Sequence, residues 1–286
     1  MDAHTLECLD FPRIRELLAG CALTGLGRSL ASNIQPATRV ALVRRWLAQV
    51  EELQRLSESR GLPPLGGITD VRDILERCGP PLRVTVEEVA QVGTTLAGTH
   101  HVATYLRDLP EDFPEFRHLA ERVGDFRPIA ERISAVIDER GQVRDSASPK
   151  LAGLRREIDS AEHEVRHVVD RLLHDPGVRR LLQYANHTFH GDRLVVPLRA
   201  EYRGRLPGIV HRASDTGATL YVEPAEVVEL NNRISNLRSA EQEEIGRLLW
   251  ELSHEIALNA REIRRTLDTL AVIDLIVAKV RLARQF

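Results

Sequence analysis

The chain has 286 residues, of which 43% are hydrophobic and 4% aromatic, with a formal net charge of −3. That is enough apolar material for one or two packed cores, and its poverty in rings favours helix–helix packing over a large β-sandwich or an aromatic-lined substrate pocket. The charge gives the chain as a whole no electrostatic case for nucleic acid, so any such case must rest on where the charges sit.

Phe11 to Gly20 is amphipathic, with Ile14, Leu17 and Leu18 on one face. Pro36 opens a longer pattern through Val40, Val43, Leu47, Val50 and Leu53, closed by Gly61-Leu62-Pro63-Pro64. Thr85 and Glu88 have capping-box spacing, in which hydroxyl and carboxylate each satisfy an orphan amide. A helix is predicted from there to about Asp108, and another over Pro128 to Ile137. From Ser148 the character changes. Leu151, Leu154, Ile158, Ala161, Val165, Val168 and Leu172 recur at spacings of three and four, a seam for another helix. Arg155, Arg156, Glu157, Asp159, Glu162, Glu164 and Arg166 occupy the other faces, and Asp175-Pro176-Gly177 interrupts the rod.

Three short β-rich runs follow: Arg193 to Arg199, Leu206 to His211 and Ala218 to Glu223, with turns around Gly204 and Asp215-Thr216-Gly217. Pro197 and Pro207 predict edge strands or bulges. A sheet this small has no core of its own and must pack on a rod end. A second rod begins after Pro224 with Val227, Leu230, Ile234 and Leu237, then Ile245, Leu248, Leu252 and Ile256. Glu241 falls on that stripe and predicts a bend or a wet contact. A third pattern, Ile263, Leu267, Leu270, Ile273, Val277 and Val280, runs to the end without a C-cap signal and reads as a helix leading into a further domain. The fold class is mainly α: a helical body with an insertion in which two long antiparallel helices bear a small antiparallel β-sheet.

Residues 186–213 hold Arg193, Arg199, Arg203, Arg205 and Arg212 against Asp192 and Glu201, a balance of +3 that leaves −6 for the rest of the chain. A basic tip on an acidic body suits phosphate contact; the plainer reading is a soluble hairpin with a chance excess of Arg. Asp215-Thr216-Gly217-Ala218 spells an aspartic-protease loop, but that chemistry needs a second carboxylate sharing a proton, and no second Asp-Thr/Ser-Gly occurs. The motif reads as a turn, and no catalytic residue is assigned. His187 and His190, or His100 and His101, lack the further ligands a metal needs, so no metal is expected. No Gly-x-x-x-x-Gly-Lys-Ser/Thr loop occurs, so no cofactor is expected in this chain. Asp274, Ala278 and Lys279, a helical turn apart, read as a solvated or ion-paired face. Cys8, Cys21 and Cys78 lack metal or disulfide spacing, and no run approaches a membrane span, so a cytoplasmic protein with reduced thiols is expected.

Several runs resemble the bacterial MutS-II family, the MutS paralogues. Val136-Ile-Asp-Glu-Arg-Gly-Gln-Val-Arg-Asp-Ser-Ala-Ser148, leading into Leu151 and Leu154-Arg155, is similar to the start of that family's clamp arm. Arg193-Leu-Val-Val-Pro-Leu-Arg-Ala-Glu-Tyr202 resembles its first clamp strand. Gly208-Ile-Val-His-Arg-Ala-Ser-Asp-Thr-Gly-Ala-Thr-Leu-Tyr-Val-Glu-Pro224 resembles its most distinctive stretch, and Glu229-Leu-Asn-Asn232 and Glu243-Glu-Ile245 continue it. Thr5-Leu-Glu7 and Asp274 with Ala278-Lys279 fit as well. His190 stands where the family would have Arg, and Leu194 where an aromatic is common.

The resemblance implies core or lever helices over 1–135, a clamp insertion over 136–260 with its β-tip at about 188–224, and a lever helix over 261–286 leading to an ATPase domain. It also implies an intact protein that is an ATP- and Mg-dependent homodimer with a C-terminal Smr nuclease domain, both of those domains lying outside this chain. Branched or recombination-intermediate DNA and stalled or collided ribosomes are the implied partners. Arg193, Arg199, Arg203, Arg205 and Arg212, with His190 and His211, are the candidate nucleic-acid contacts. The competing expectation is a coiled-coil oligomerisation scaffold that touches no nucleic acid.

Overall fold

A computed structural model describes residues 3–81 and 83–285, which are mainly helical with one small antiparallel sheet. In chain order the elements are α1 (Ala3–Cys8), α2 (Phe11–Cys21), α3 (Gly25–Ser32), α4 (Val40–Arg60), α5 (Arg72–Arg77), α6 (Val86–Tyr105), α7 (Pro114–Ala120), α8 (Arg127–Val136), α9 (Pro149–His174) and α10 (Pro176–Arg179). Then come β1 (Thr188–His190), β2 (Arg193–Arg199), β3 (Gly208–Ala213), β4 (Thr219–Pro224) and α11 (Ala225–Ala283). Among the described residues no helix is long and apolar enough to cross a membrane. The chain divides into two compact units. One comprises the residues up to Arg144 and from Leu249 onward, the other Asp145–Leu248.

In the first unit, local chemistry sets the helix ends. The Thr85 hydroxyl accepts from the Glu88 amide while the Glu88 carboxylate accepts from the Thr85 amide, so the capping box opens α6 as its spacing requires. α4 starts at Val40 rather than Pro36 and stops at Gly61, whose φ of 73° suits glycine. Glu52, buried on α4, accepts from the amides of Glu115 and Phe116 and so neutralises the start of α7. The core joins Leu53 and Leu56 of α4, Val92 and Leu96 of α6, Phe116 of α7, Ile133 of α8, and Ile263, Leu267 and Leu270 of α11. α6 and α8 pack so closely that a Cβ on Gly93 would lie 2.7 Å from the Ile133 side chain.

The apolar stripes of α2 and α4 are only partly used. Ile14, Leu17, Val40 and Leu47 are exposed, and the buried faces run instead through Leu18 and through Gln49, Leu53 and Leu56. Periodicity marks an apolar face; which part of it is covered depends on neighbours. Cys8, Cys21 and Cys78 are free thiols, and burial pushes Cys78 up to about 11.

In the second unit, α9 runs antiparallel to the first part of α11. Ser148 meets Glu244, Arg155 meets Glu241 and Glu162 meets Arg238, so positions rise on one helix as they fall on the other. The seam is buried at Leu151, Ile158, Ala161 and Val165 as its spacing predicts, but Leu154, Val168 and Leu172 are only half-buried and Val169 is buried instead. A straight helix of 3.6 residues per turn drifts off a strict seven-residue repeat, and from Ala161 onward α9 packs against both the sheet and α11. The second and third rods are one helix, without a break at Glu241. That carboxylate is held by Arg155, and no proline interrupts residues 225–283.

Glu244 anchors the base of this pair. Arg247 first, then Ser148 and Lys150, hold its carboxyl down to about 2 from an ordinary 4.5. A folded-state value below the unfolded one contributes stability that is present above about pH 4.5 and is lost as pH falls toward 2. Thermal melts of the wild type and Glu244→Gln should therefore converge across that window. Parallel acid profiles would contradict the assignment.

The sheet has the order β1-β2-β4-β3, antiparallel throughout. β1 is an element that periodicity does not reveal. Pro197 sits in β2, an interior strand, contrary to the edge assignment. It is tolerated because its missing N–H points away from β4, toward a side where β1 has ended and Gln183 merely donates to the Pro197 carbonyl. A bulge between Val210 and Arg212 marks β3, the edge strand.

Candidate nucleic-acid interface

Strand alternation sorts the basic residues of the sheet. Leu194, Val196 and Leu198 of β2, with Leu220 and Val222 of β4, enter a core with Ala161, Val165 and Val169 of α9 and Val227 and Ile234 of α11. The intervening positions Arg193, Val195, Pro197 and Arg199 belong to the opposite face, where Pro197 pairs with Tyr221 and Arg199 with Thr219, and Glu223 alternates with Tyr221 along β4.

Glu223 is fully buried there, and a buried carboxylate must be paired. Arg193 donates to both of its oxygens at 2.9 and 3.1 Å and to Asn232 Oδ1 at 2.7 Å. His211 Nε2 lies 2.6 Å from Glu223 Oε2, and Asn231 donates to Oε1 at 2.8 Å. Two of the seven candidate contacts, Arg193 and His211, are thus held inward by one carboxylate. His190, exposed at the end of β1, lies with its ring 5.2 Å from that of His211.

The other four arginines are exposed. Arg203 and Arg205 flank Gly204, whose φ of 81° makes the turn between β2 and β3, and Leu206 anchors that loop in the core. Among the described residues neither has an ion-pair partner. Arg199 donates through Nε to the Leu182 carbonyl, and Arg212 stacks its guanidinium 4.6 Å from the centre of the Tyr221 ring.

Arg179 and Arg180 lie outside the sequence window and are also exposed. The stretch after α10 runs beside β2, with the Arg199 amide donating to the Leu181 carbonyl at 2.9 Å, which brings Arg180 next to Arg199. The same stretch carries Tyr184 to Tyr221. The neighbouring Tyr221 phenol, then burial, raise the Tyr184 phenol above its ordinary value.

Asp215 is exposed in the β3–β4 turn, where Ser214 and Thr219 close the backbone and Gly217 takes a φ of 71°. His187 precedes β1 and His190 is its last residue. Asp274 is buried rather than solvated: it accepts from the amides of Leu23 and Thr24. Lys279, half-buried over Trp46, is lowered by desolvation.

No family model matches the chain. Curated relatives do. "Endonuclease MutS2" of Halothermothrix orenii (strain H 168) is 32% identical over 98% of this chain and 36% of its own length. The protein of the same name from Geobacillus sp. (strain WCH70) is 32% identical over 100% of the chain and 37% of its length. That from Shouchella clausii (strain KSM-K16) is 33% identical over 96% and 36%. The chain spans only 36–37% of the length of these relatives, and over that span it is similar to the proteins named Endonuclease MutS2 along nearly its whole length.

Proposed function

We propose that the chain is the lever and clamp region of a MutS-II protein and grips nucleic acid through its phosphates without reading sequence. The observation that carries this is the group of exposed arginines, Arg199, Arg203, Arg205 and Arg212 with Arg179 and Arg180, around one small sheet. Counter-ion release by such cations gives affinity that is indifferent to sequence and falls steeply with salt. The relatives' name, "Endonuclease MutS2", agrees with a nucleic-acid partner. In this reading branched DNA or a stalled ribosome is the target, and the intact protein is a dimer. No residue here is assigned a catalytic role, and none to ATP or magnesium, because these 286 residues hold no P-loop sequence.

The scaffold alternative is less well supported. Leu151, Ile158, Ala161 and Val165 are already buried within their own unit, so the seam it would offer to a partner is occupied.

The double substitution Arg203→Glu/Arg205→Glu should weaken binding to any duplex and reduce the slope of log K against log salt by roughly 2, one unit per lost phosphate contact. A salt titration by fluorescence anisotropy measures it. An unchanged slope and affinity would remove the tip from the interface.

A further inference from the structure

Not all of the sheet's exposed chemistry is suited to phosphate. On the face of β2 and β4 that points away from the core, the planar guanidinium of Arg212 lies 4.6 Å from the centre of the Tyr221 ring. Pro197 pairs with Tyr221 on one side and its carbonyl accepts from the Gln183 amide on the other, which brings Tyr184, one residue on, into the neighbourhood of this pair. Tyr184 is 47% exposed and Arg212 is exposed, so both side chains are accessible to a ligand. The stretch that carries Tyr184 is fastened to β2 by the amide of Gln183 on the Pro197 carbonyl and by the Leu182–Leu198 bridge. The plate is therefore built on sheet and not on a free loop. Arg199, next along the same face, and the adjoining Arg180 supply positive charge at its edge.

Planar, partly exposed rings and a stacked guanidinium bordered by cations are what an unpaired base requires. Its π-face stacks on the plate while its phosphate meets the flanking arginines, and every base can do so. A base inside a duplex offers no free face. We infer that Tyr184, Tyr221 and Arg212 form a stacking platform for unpaired nucleotides, so that this tip prefers nucleic acid with single-stranded segments over continuous duplex. The inference rests on the nucleic-acid reading above and adds to it a class of ligand.

The test uses the whole chain with labelled oligo(dT), oligo(U) and a blunt duplex of equal length, read by anisotropy. Tyr184→Ala removes a ring at an exposed position, and Tyr184→Phe keeps it. Tyr184→Ala should weaken oligonucleotide binding roughly tenfold and leave duplex binding within about twofold, while Tyr184→Phe should bind both as the wild type does. Unchanged melting curves would show both variants folded. A response by oligo(U) alone, or oligo(dT) alone, supports the platform and names RNA or DNA as the source. Equal losses on single strand and duplex would overturn the platform while leaving the phosphate grip in place. If the wild type binds none of the three, or the Arg203→Glu/Arg205→Glu variant binds all three as the wild type does, the underlying reading fails first.

Discussion

Replacing Glu223 with Ala should destabilise the Asp145–Leu248 unit by about 3–5 kcal/mol, the cost of breaking a buried ion pair by removing one partner. The carboxylate is fully buried and carries hydrogen bonds from Arg193, Asn231 and His211, so its loss leaves the Arg193 guanidinium facing a cavity. Native-state hydrogen exchange over β2 and β4 measures this directly. Trp46 and Trp250 both lie outside the unit, so their fluorescence would report on the other one. Arg193→Ala should also destabilise β2 and β4, by leaving Glu223 buried and short of its strongest donor. The double variant should cost less than the sum of the singles, since it leaves neither charge unpaired. Additive effects, or protection within about 1 kcal/mol of wild type for Glu223→Ala, would mean that the network holds little of the sheet's stability.

This result bears on how the basic tip is dissected. An Arg193 variant that binds nucleic acid poorly would be losing its sheet, whereas Arg203 and Arg205 sit on a loop whose fold depends on Leu206 and Gly204. Binding losses count as contacts only at positions of the second kind.

What is legible in the sequence follows the distance over which each interaction acts. The Thr85–Glu88 box and the Asp215–Gly217 turn are closed by residues within one turn of chain, and their letters suffice. The α9 seam is legible at Leu151, Ile158, Ala161 and Val165; that Val169 rather than Val168 is then buried depends on the joint surface of β2, β4 and α11, which no local pattern states. β1 has three residues and no alternation long enough to mark it, and it exists because β2 offers an edge. Within the candidate interface, an excess of Arg is visible by counting, but not which way each side chain turns. Arg193 and Glu223 are thirty positions apart, so the pairing that withdraws Arg193 from the surface belongs to the register between β2 and β4. Arg179 and Arg180 escape a window drawn on strands because they join the group through the stretch beside β2.

Asp274 and Gly27 should prove energetically inseparable. Asp274 on α11 accepts from Leu23 N at 2.9 Å, Thr24 N at 2.7 Å and the Thr24 hydroxyl at 2.6 Å, and that hydroxyl in turn accepts from Gly27 N at 3.1 Å. A buried carboxylate so placed satisfies the amides at the turn into α3 and faces the positive end of that helix. Asp274→Ala should therefore cost about 3–4 kcal/mol, since hydrogen bonds to a charged group contribute about 1.5–3 each and are not additive. Gly27→Ala should cost several kcal/mol for a different reason: its Cβ would lie 2.2 Å from Asp274 Oδ2. In the double variant the carboxylate that excludes the methyl is gone, so the second substitution should add little, with a coupling of about 1–3 kcal/mol. Urea unfolding can be followed by the emission of Trp46, which lies 5.2 Å below Lys279 on the same stretch of α11, in a background carrying Trp250→Phe. Strict additivity would show that Gly27 is required for something other than room for Asp274, and that α11 holds the α2–α3 turn by packing rather than by this carboxylate.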